Sequence, residues 1–230
     1  MSQGLWISFE GIDGAGKSTH IEALAKTFLQ QGREVTQTRE PGGTPLAESL
    51  RALMLNTNMD PLTESLIAFA ARRDHLKTVI EPALAKGHVV LCDRFTDATF
   101  AYQGGGRGVS WELLKQLEQW VQAKDTDHSS LSQPNLTVWF DLDPHIAAKR
   151  LVQARSPDRF ESETVDFFKL VQSAYAKRCQ ESQGRFLSID AAKSKHEVWQ
   201  QLTRGLVAKG WLSIVVPVVN LNAPEQETGA

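Results

Sequence analysis

Apolar residues follow two rhythms along this chain. Short apolar runs alternate with longer stretches in which apolar positions recur at helical spacing, the patterns of buried strands and amphipathic helices. Leu5 to Phe9 reads as a strand ending in a glycine-containing turn. Lys17 to Gln31 carries Ile21, Leu24, Ala25, Phe28 and Leu29 on one helical face and stops at Gly32. Glu34 to Thr38 reads as a second strand, and Pro41-Gly42-Gly43 as a forced turn. Pro45 then opens a helix through Leu46, Leu50, Leu53 and Met54, at a first-turn position where its missing N–H costs little. A single long helix is predicted from about Pro61 to Lys86, ended by Gly87. His88 to Cys92 is a continuous apolar run, as in a strand buried on both faces. Ser110 is placed to cap a helix from Trp111 to Ala123. Lys124 to Pro134 is a polar surface loop, and Leu136 to Leu142 a fourth strand. A helix from Ile146 to Ala154 is broken by Arg155 to Arg159. Helix, strand and helix follow at Val165–Gln180, Arg185–Ile189 and Lys195–Lys209, and the last ten residues read as a frayed tail.

Strands alternating with helices predict an α/β fold, with a parallel sheet covered by helices on both faces. No repeat or linker divides the chain, so one domain is expected over 1–210 and a tail over 211–230. The 25 Lys+Arg against 27 Asp+Glu leave a net charge of −2, which removes a general electrostatic case for nucleic acid or an anionic membrane. The N-terminal segment lacks the basic and apolar regions of a signal peptide, and no apolar run reaches the ~18 residues of a membrane helix. Cys92 and Cys179 form no disulfide framework, and the six histidines make no paired metal motif. A soluble, cytoplasmic protein without nucleic-acid or membrane partners is the expectation.

The strongest chemical signal is Gly11-Ile12-Asp13-Gly14-Ala15-Gly16-Lys17-Ser18, followed by Thr19. It fits G-x-x-x-x-G-K-[ST] at every fixed position, directly after a strand and opening a helix. Its glycines let successive N–H groups curl around phosphate oxygens, and the helix N-terminus adds partial positive charge. Lys17 reaches toward the β/γ-phosphates, and the Ser18 hydroxyl is placed to ligate Mg²⁺. Asp93, at the end of the third strand, lies at the sheet edge where ligands bind, and could hold Mg²⁺ or anchor the loop.

Phosphoryl transfer is mostly positioning and charge stabilisation, so cations beyond the phosphate loop are needed. Arg39, Arg72-Arg73, Arg94, Arg107, Arg150, Arg155 and Arg159 offer them. Each alone reads as a solvated charge, but their positions at strand ends and glycine-rich loops favour function. Arg155 and Arg159 flank Ser-Pro-Asp between two helices, where a lid could close over a nucleotide. Phe69 and Arg73, four residues apart, could stack on a base and hydrogen-bond its edge. Periodicity alone favours Phe69 as core and Arg73 as surface.

With these residues assembled, the chain resembles the bacterial-type thymidylate kinases. The matching segments are FEGIDGAGKST (Phe9 to Thr19), TREPGGTPLAE (Thr38 to Glu48), FAARRDH (Phe69 to His75), Asp93-Arg94-Phe95, AYQGGGRG (Ala101 to Gly108) and PDRFE (Pro157 to Glu161). The resemblance implies a P-loop nucleoside-monophosphate-kinase fold with a five-stranded parallel sheet and a short lid at about 153–161. It implies transfer from Mg·ATP to dTMP, by direct in-line attack, in a homodimer. It places Gly11, Asp13, Gly14, Ala15, Gly16, Lys17, Ser18, Thr19 and Arg150 around the donor, with Ser18 and Asp93 toward the metal. It places Asp13, Arg39, Phe69, Arg73, Arg94, Tyr102 and Gln103 around the acceptor, Tyr102 against the deoxyribose. Lys17, Arg94, Arg155, Arg159 and Asp13 are then the catalytic set. Some members carry an arginine where this chain has Gly14; here the transition-state arginines are expected in the lid, so that Arg159→Ala lowers kcat more than acceptor affinity.

Other readings stay open. A kinase for another nucleoside monophosphate or a small alcohol differs only in the acceptor residues. A regulatory GTPase would need an Asn-Lys-x-Asp motif, and no asparagine here precedes a lysine. A non-catalytic module would predict a damaged phosphate loop or a basic stripe.

Overall fold

Five parallel strands form one sheet in the order β2-β3-β1-β4-β5: β1 Leu5–Glu10, β2 Val35–Arg39, β3 Val89–Asp93, β4 Leu136–Asp141 and β5 Phe186–Asp190. The computed structural model describes residues 3–124, 130–151, 159–160, 163–182 and 184–213. The three inner strands are buried along most of their length, and the two edge strands are half-exposed, which is why only the inner ones read as unbroken apolar runs. Alternation sorts the sheet's faces. Leu5, Ile7, Phe9, Val89 and Leu91 join the large core. Trp6 and Val90, pointing the other way, join Leu76, Ile80 and Phe95 in a second cluster.

The helices are α1 Lys17–Gln30, α2 Pro45–Asn56, α3 Pro61–His75, α4 Glu81–Ala85, α5 Thr96–Thr99, α6 Trp111–Gln122, α7 Pro144–Leu151, α8 Val165–Glu181 and α9 Lys195–Ala208. Local sequence sets many of their ends. Thr44 and Ser110 cap α2 and α6 through their hydroxyls, and Ser194 with Glu197 makes a capping box on α9.

Two stretches depart from the expected elements. The long helix predicted over 61–86 widens into a π-helical turn at Leu76–Ile80 between α3 and α4. Pro82 follows that turn; lacking an N–H, it cannot continue the ordinary ladder, and the widened turn accommodates it. The glycine-rich stretch read as a loop is also helical, a π-helical segment from Phe100 to Gly106 continuing α5. Its glycines serve close packing: a Cβ on Gly105 would stand 2.5 Å from the Ala174 Cβ, and one on Gly106 would stand 2.4 Å from the Phe167 ring. At the far end, Leu212 is buried in the large core and Ser213 accepts from Gln31, so packing runs past the boundary expected at 210.

Candidate active site

The phosphate loop joins β1 to α1 beneath the sheet's C-terminal edge. Gly11, Gly14 and Gly16 all take positive φ, at 131°, 82° and 83°. Gly11 also has no room for a side chain, since a Cβ would lie 2.5 Å from the Phe140 carbonyl oxygen. Lys17 bends back over the loop and donates to the carbonyls of Gly11 and Ile12 at 3.2 and 3.4 Å. Burial, with Arg94 nearby, lowers its pKa against the pull of Asp93, Asp13 and Glu10. Arg150 donates to Gly14 O at 3.4 Å and Ala191 O at 3.2 Å, which sets it beside the loop.

Arg94 stands where the phosphate loop meets a neighbouring cavity. It follows the last residue of β3 with φ 68°, and its backbone N–H is tied to Phe9 O. Its guanidinium donates to Asp13 Oδ1 at 2.8 Å, Tyr102 Oη at 3.1 Å and Tyr175 Oη at 3.2 Å. Burial pushes the Asp13 carboxyl up, but Arg94 and Lys17 outweigh it and hold it at about 2. Beneath them Glu10 accepts from the Phe95 N–H at 2.7 Å and the Tyr175 hydroxyl at 2.8 Å. Burial and then Asp97 raise Glu10 to about 8 against the opposing Arg94.

The cavity holds about 110 Å³ and is lined by Asp13, Glu40, Arg51, Ala68, Arg72, Arg94, Tyr102, Gln103 and Phe160, among others. Asp13, Arg94, Tyr102 and Gln103 therefore come together as the sequence suggested. Phe69 and Arg73 do not join them. Phe69 is buried and packs with Phe100, Leu114 and Leu117, and Arg73 turns to donate to Val121 O on α6. Ala68 and Arg72 hold the cavity wall instead. The α3 residues on the cavity lie one position before the expected pair, and one residue turns a side chain by ~100° about a helix. Sequence reasoning offered Arg72 only as one of several cations and gave the base to Arg73, although Ala68 and Arg72 share the same four-residue spacing. It also missed Arg51, Glu64 and Phe160, which no local pattern marks.

Arg72 is fixed on three sides. Nε donates to Glu40 at 2.7 Å, Nη2 donates to Thr99 at 2.9 Å, and the guanidinium carbon lies 4.8 Å from the Phe69 ring centre. Its Nη1 is buried without a hydrogen-bond partner. That leaves a rigid, unspent N–H donor at a cavity wall, suited to a carbonyl oxygen on a bound ring.

Other expected residues lie elsewhere. Arg39 is exposed, is paired with Glu48 at 2.9 Å, and lines a separate recess with Ser18 and Asp93 rather than the cavity. An edge strand explains this, since its last residue points outward past the sheet. Arg159 is turned away from the phosphate loop, donating to Met54 O at 2.7 Å and Glu64 Oε2 at 2.8 Å. Arg155 and most of the expected lid lie outside the described residues. A hard divalent cation fits the recess: Ser18 and Asp93 both line it with oxygens, and Asp93 Oδ1 is buried with no hydrogen-bond partner.

The family model described as thymidylate kinase matches residues 9–202. The thymidylate kinase of Verminephrobacter eiseniae is 59% identical over 215 residues, covering 93% of this chain and 95% of its own. That of Albidiferax ferrireducens is 57% identical over 213 residues, covering 92% and 99%. The crystal structure of thymidylate kinase from Ehrlichia chaffeensis superposes with a TM-score of 0.69 at 31% identity, covering 89% of this chain and 99% of that one.

Proposed function

The chain belongs to the thymidylate kinase family and phosphorylates dTMP, and from that premise we propose that Mg·ATP is the donor and that transfer takes place between the phosphate loop and the Arg72 cavity. The family uses a nucleotide phosphate donor, generally with a divalent metal. The observation that carries the placement is the Asp13–Arg94 pair. Asp13 belongs to the phosphate loop and also lines the cavity, so donor and acceptor phosphates meet at Arg94.

In this reading the loop N–H groups and Lys17 hold the donor phosphates, and Arg150 flanks the donor nucleotide. Arg94 holds the acceptor phosphate, Tyr102 lies against the sugar, and Arg72 Nη1 donates to a base carbonyl. An acceptor phosphate oxygen attacks the γ-phosphorus while the bond from that phosphorus to the β–γ bridging oxygen breaks and the diphosphate leaves with the electron pair. The nucleophile is already anionic, so no protein base is required. Mg²⁺, held near Ser18 and Asp93, would neutralise charge on the transferring group. Arg155 keeps the lid role that the resemblance implies. The chain residues bring two polyanions together and exclude water.

The test is ADP formation from Mg·ATP with dTMP, dUMP, dCMP, dGMP, AMP or water alone. Turnover strongest with dTMP and weaker with dUMP is expected; preference for a purine would overturn the assignment of the cavity. We further propose one domain with the site at its sheet edge, in the cytoplasm. No helix among the described residues is long and apolar enough to cross a membrane. A homodimer is supported by Leu53, Leu62, Leu66 and Trp120, exposed on α2, α3 and α6, of which α3 packs against the other two. Sedimentation of Trp120→Glu checks it: an unchanged dimer would exclude that face.

A further inference from the structure

Arg72 is held by a chain of polar groups that runs from Glu40 at the cavity through buried His75 to Thr38. Glu40 Oε2 takes the Arg72 Nε hydrogen, and Glu40 Oε1 faces His75 Nδ1 at 3.0 Å. The ring's other nitrogen, Nε2, lies 2.6 Å from the Thr38 hydroxyl. A ring nitrogen facing a carboxylate oxygen must carry its hydrogen, so His75 clamps Glu40 from behind. Glu40, Arg72 and His75 are 3, 2 and 0% exposed. The far end is closed by backbone: a Cβ on Gly43 would stand 2.5 Å from the Thr38 Oγ1 and 2.7 Å from the His75 Nε2. The ring has no room to swing away on that side.

A guanidinium can only donate. A carbonyl on the bound pyrimidine satisfies Nη1, whereas an amino group at the same place leaves two donors facing each other. A loosely held arginine would turn aside and tolerate the amino group; a clamped one cannot. We propose that Glu40 and His75 are specificity-determining positioning residues, which make Arg72 a fixed donor and so select a pyrimidine carbonyl over an amino group. This rests on the reading of Arg72 as the group facing the base.

The experiment compares dTMP with dCMP on the full-length enzyme carrying Glu40→Gln, His75→Leu or His75→Asn, with thermal unfolding recorded for each. Glu40→Gln and His75→Leu are expected to lower kcat/KM for dTMP about tenfold or more, mostly through KM, with dCMP changed less than about twofold. His75→Asn, whose amide nitrogen can stand where Nδ1 stood, is expected to restore the preference for dTMP. Where dCMP turnover is slow, calorimetric binding of the two monophosphates gives the same ratio. If Glu40→Gln fails to fold, the two His75 variants carry the comparison. A parallel loss with both acceptors, or an unchanged ratio, would overturn the proposal. Arg72→Lys separates the two levels. If Arg72→Lys keeps the wild-type preference, the reading of Arg72 fails; if it loses the preference while the Glu40 and His75 variants keep it, only this inference fails.

Discussion

Arg159 donates to Glu64 Oε2 at 2.8 Å, so the arginine expected over the transferring phosphoryl group is tied in this structure to a carboxylate that also holds Gln103 of the cavity. Glu64 is fully buried and also accepts from Gln103 at 2.7 Å, with Arg107 at 3.7 Å. Phe160, next in the chain, lines the cavity and meets the Tyr102 ring edge-on. Removing the Arg159 side chain therefore loosens that wall and leaves a buried carboxylate with fewer donors. Arg159→Ala is expected to raise the dTMP KM about 5- to 30-fold, corresponding to ~1–2 kcal/mol, with a smaller change in kcat. Steady-state kinetics decide it: a collapse of kcat at constant KM would return Arg159 to the phosphoryl group.

Arg94 is the residue other than glycine that takes a left-handed backbone among the described residues. Its side chain is tied to Asp13, Tyr102 and Tyr175, and its N–H to Phe9. Such a backbone costs a non-glycine residue ~1–2 kcal/mol, and the contacts hold it in place. Arg94→Ala and Arg94→Gly are both expected to lose about 10²–10³-fold in kcat/KM. They should differ in stability, with glycine the more stable by roughly 0.5–1 kcal/mol once its greater unfolded-state freedom is subtracted. An alanine variant at least as stable as the glycine variant would mean that the backbone relaxes without the side chain.

The phosphate loop was legible in the sequence because it is local: strand, glycines and helix start lie within a dozen positions, each with its own conformational need. The order of strands and helices was legible for the same reason. The face of α3 that lines the cavity was not. Which face of α3 meets the cavity depends on Glu40, 32 positions earlier, and on α6, which takes Arg73. Phe69-Arg73 and Ala68-Arg72 have the same spacing, and only those distant partners choose between them. Gly104 to Gly106 misled in another way. Glycine marks a flexible loop or a close approach equally well, and α6 packing on Gly104 with α8 packing on Gly105 and Gly106 decided for the second.

Asp93 Oδ1 is buried without a partner in the recess it shares with Ser18, an arrangement that a divalent cation would complete. Asp93→Asn keeps the shape and removes the charge. The Mg²⁺ concentration for half-maximal rate is expected to rise about tenfold or more, with dTMP binding in the absence of donor unchanged. An unaltered Mg²⁺ dependence would leave Asp93 as an anchor for the loop alone.

Glu10 links the site to pH. Burial and Asp97 lift its carboxyl from 4.5 to about 8, against Arg94, the Tyr175 hydroxyl and the Phe95 N–H. Between those values the folded chain keeps a proton that the unfolded chain has lost, so stability falls as pH rises through that window. His20 acts in the opposite sense. Burial and Lys195 pull it from 6.5 to about 4, so the folded chain binds fewer protons there and stability rises with pH over that interval. The two effects offset each other below pH 6.5, and above it only Glu10 of the pair still titrates. Urea unfolding of the wild type from pH 6.5 to 8 is therefore expected to show a declining free energy that Glu10→Gln flattens. A variant that declines as steeply as the wild type would mean that Glu10 is already ionised at pH 6.5. In that case a permanent carboxylate, rather than a protonated carboxyl, lies beneath Tyr175 and Arg94.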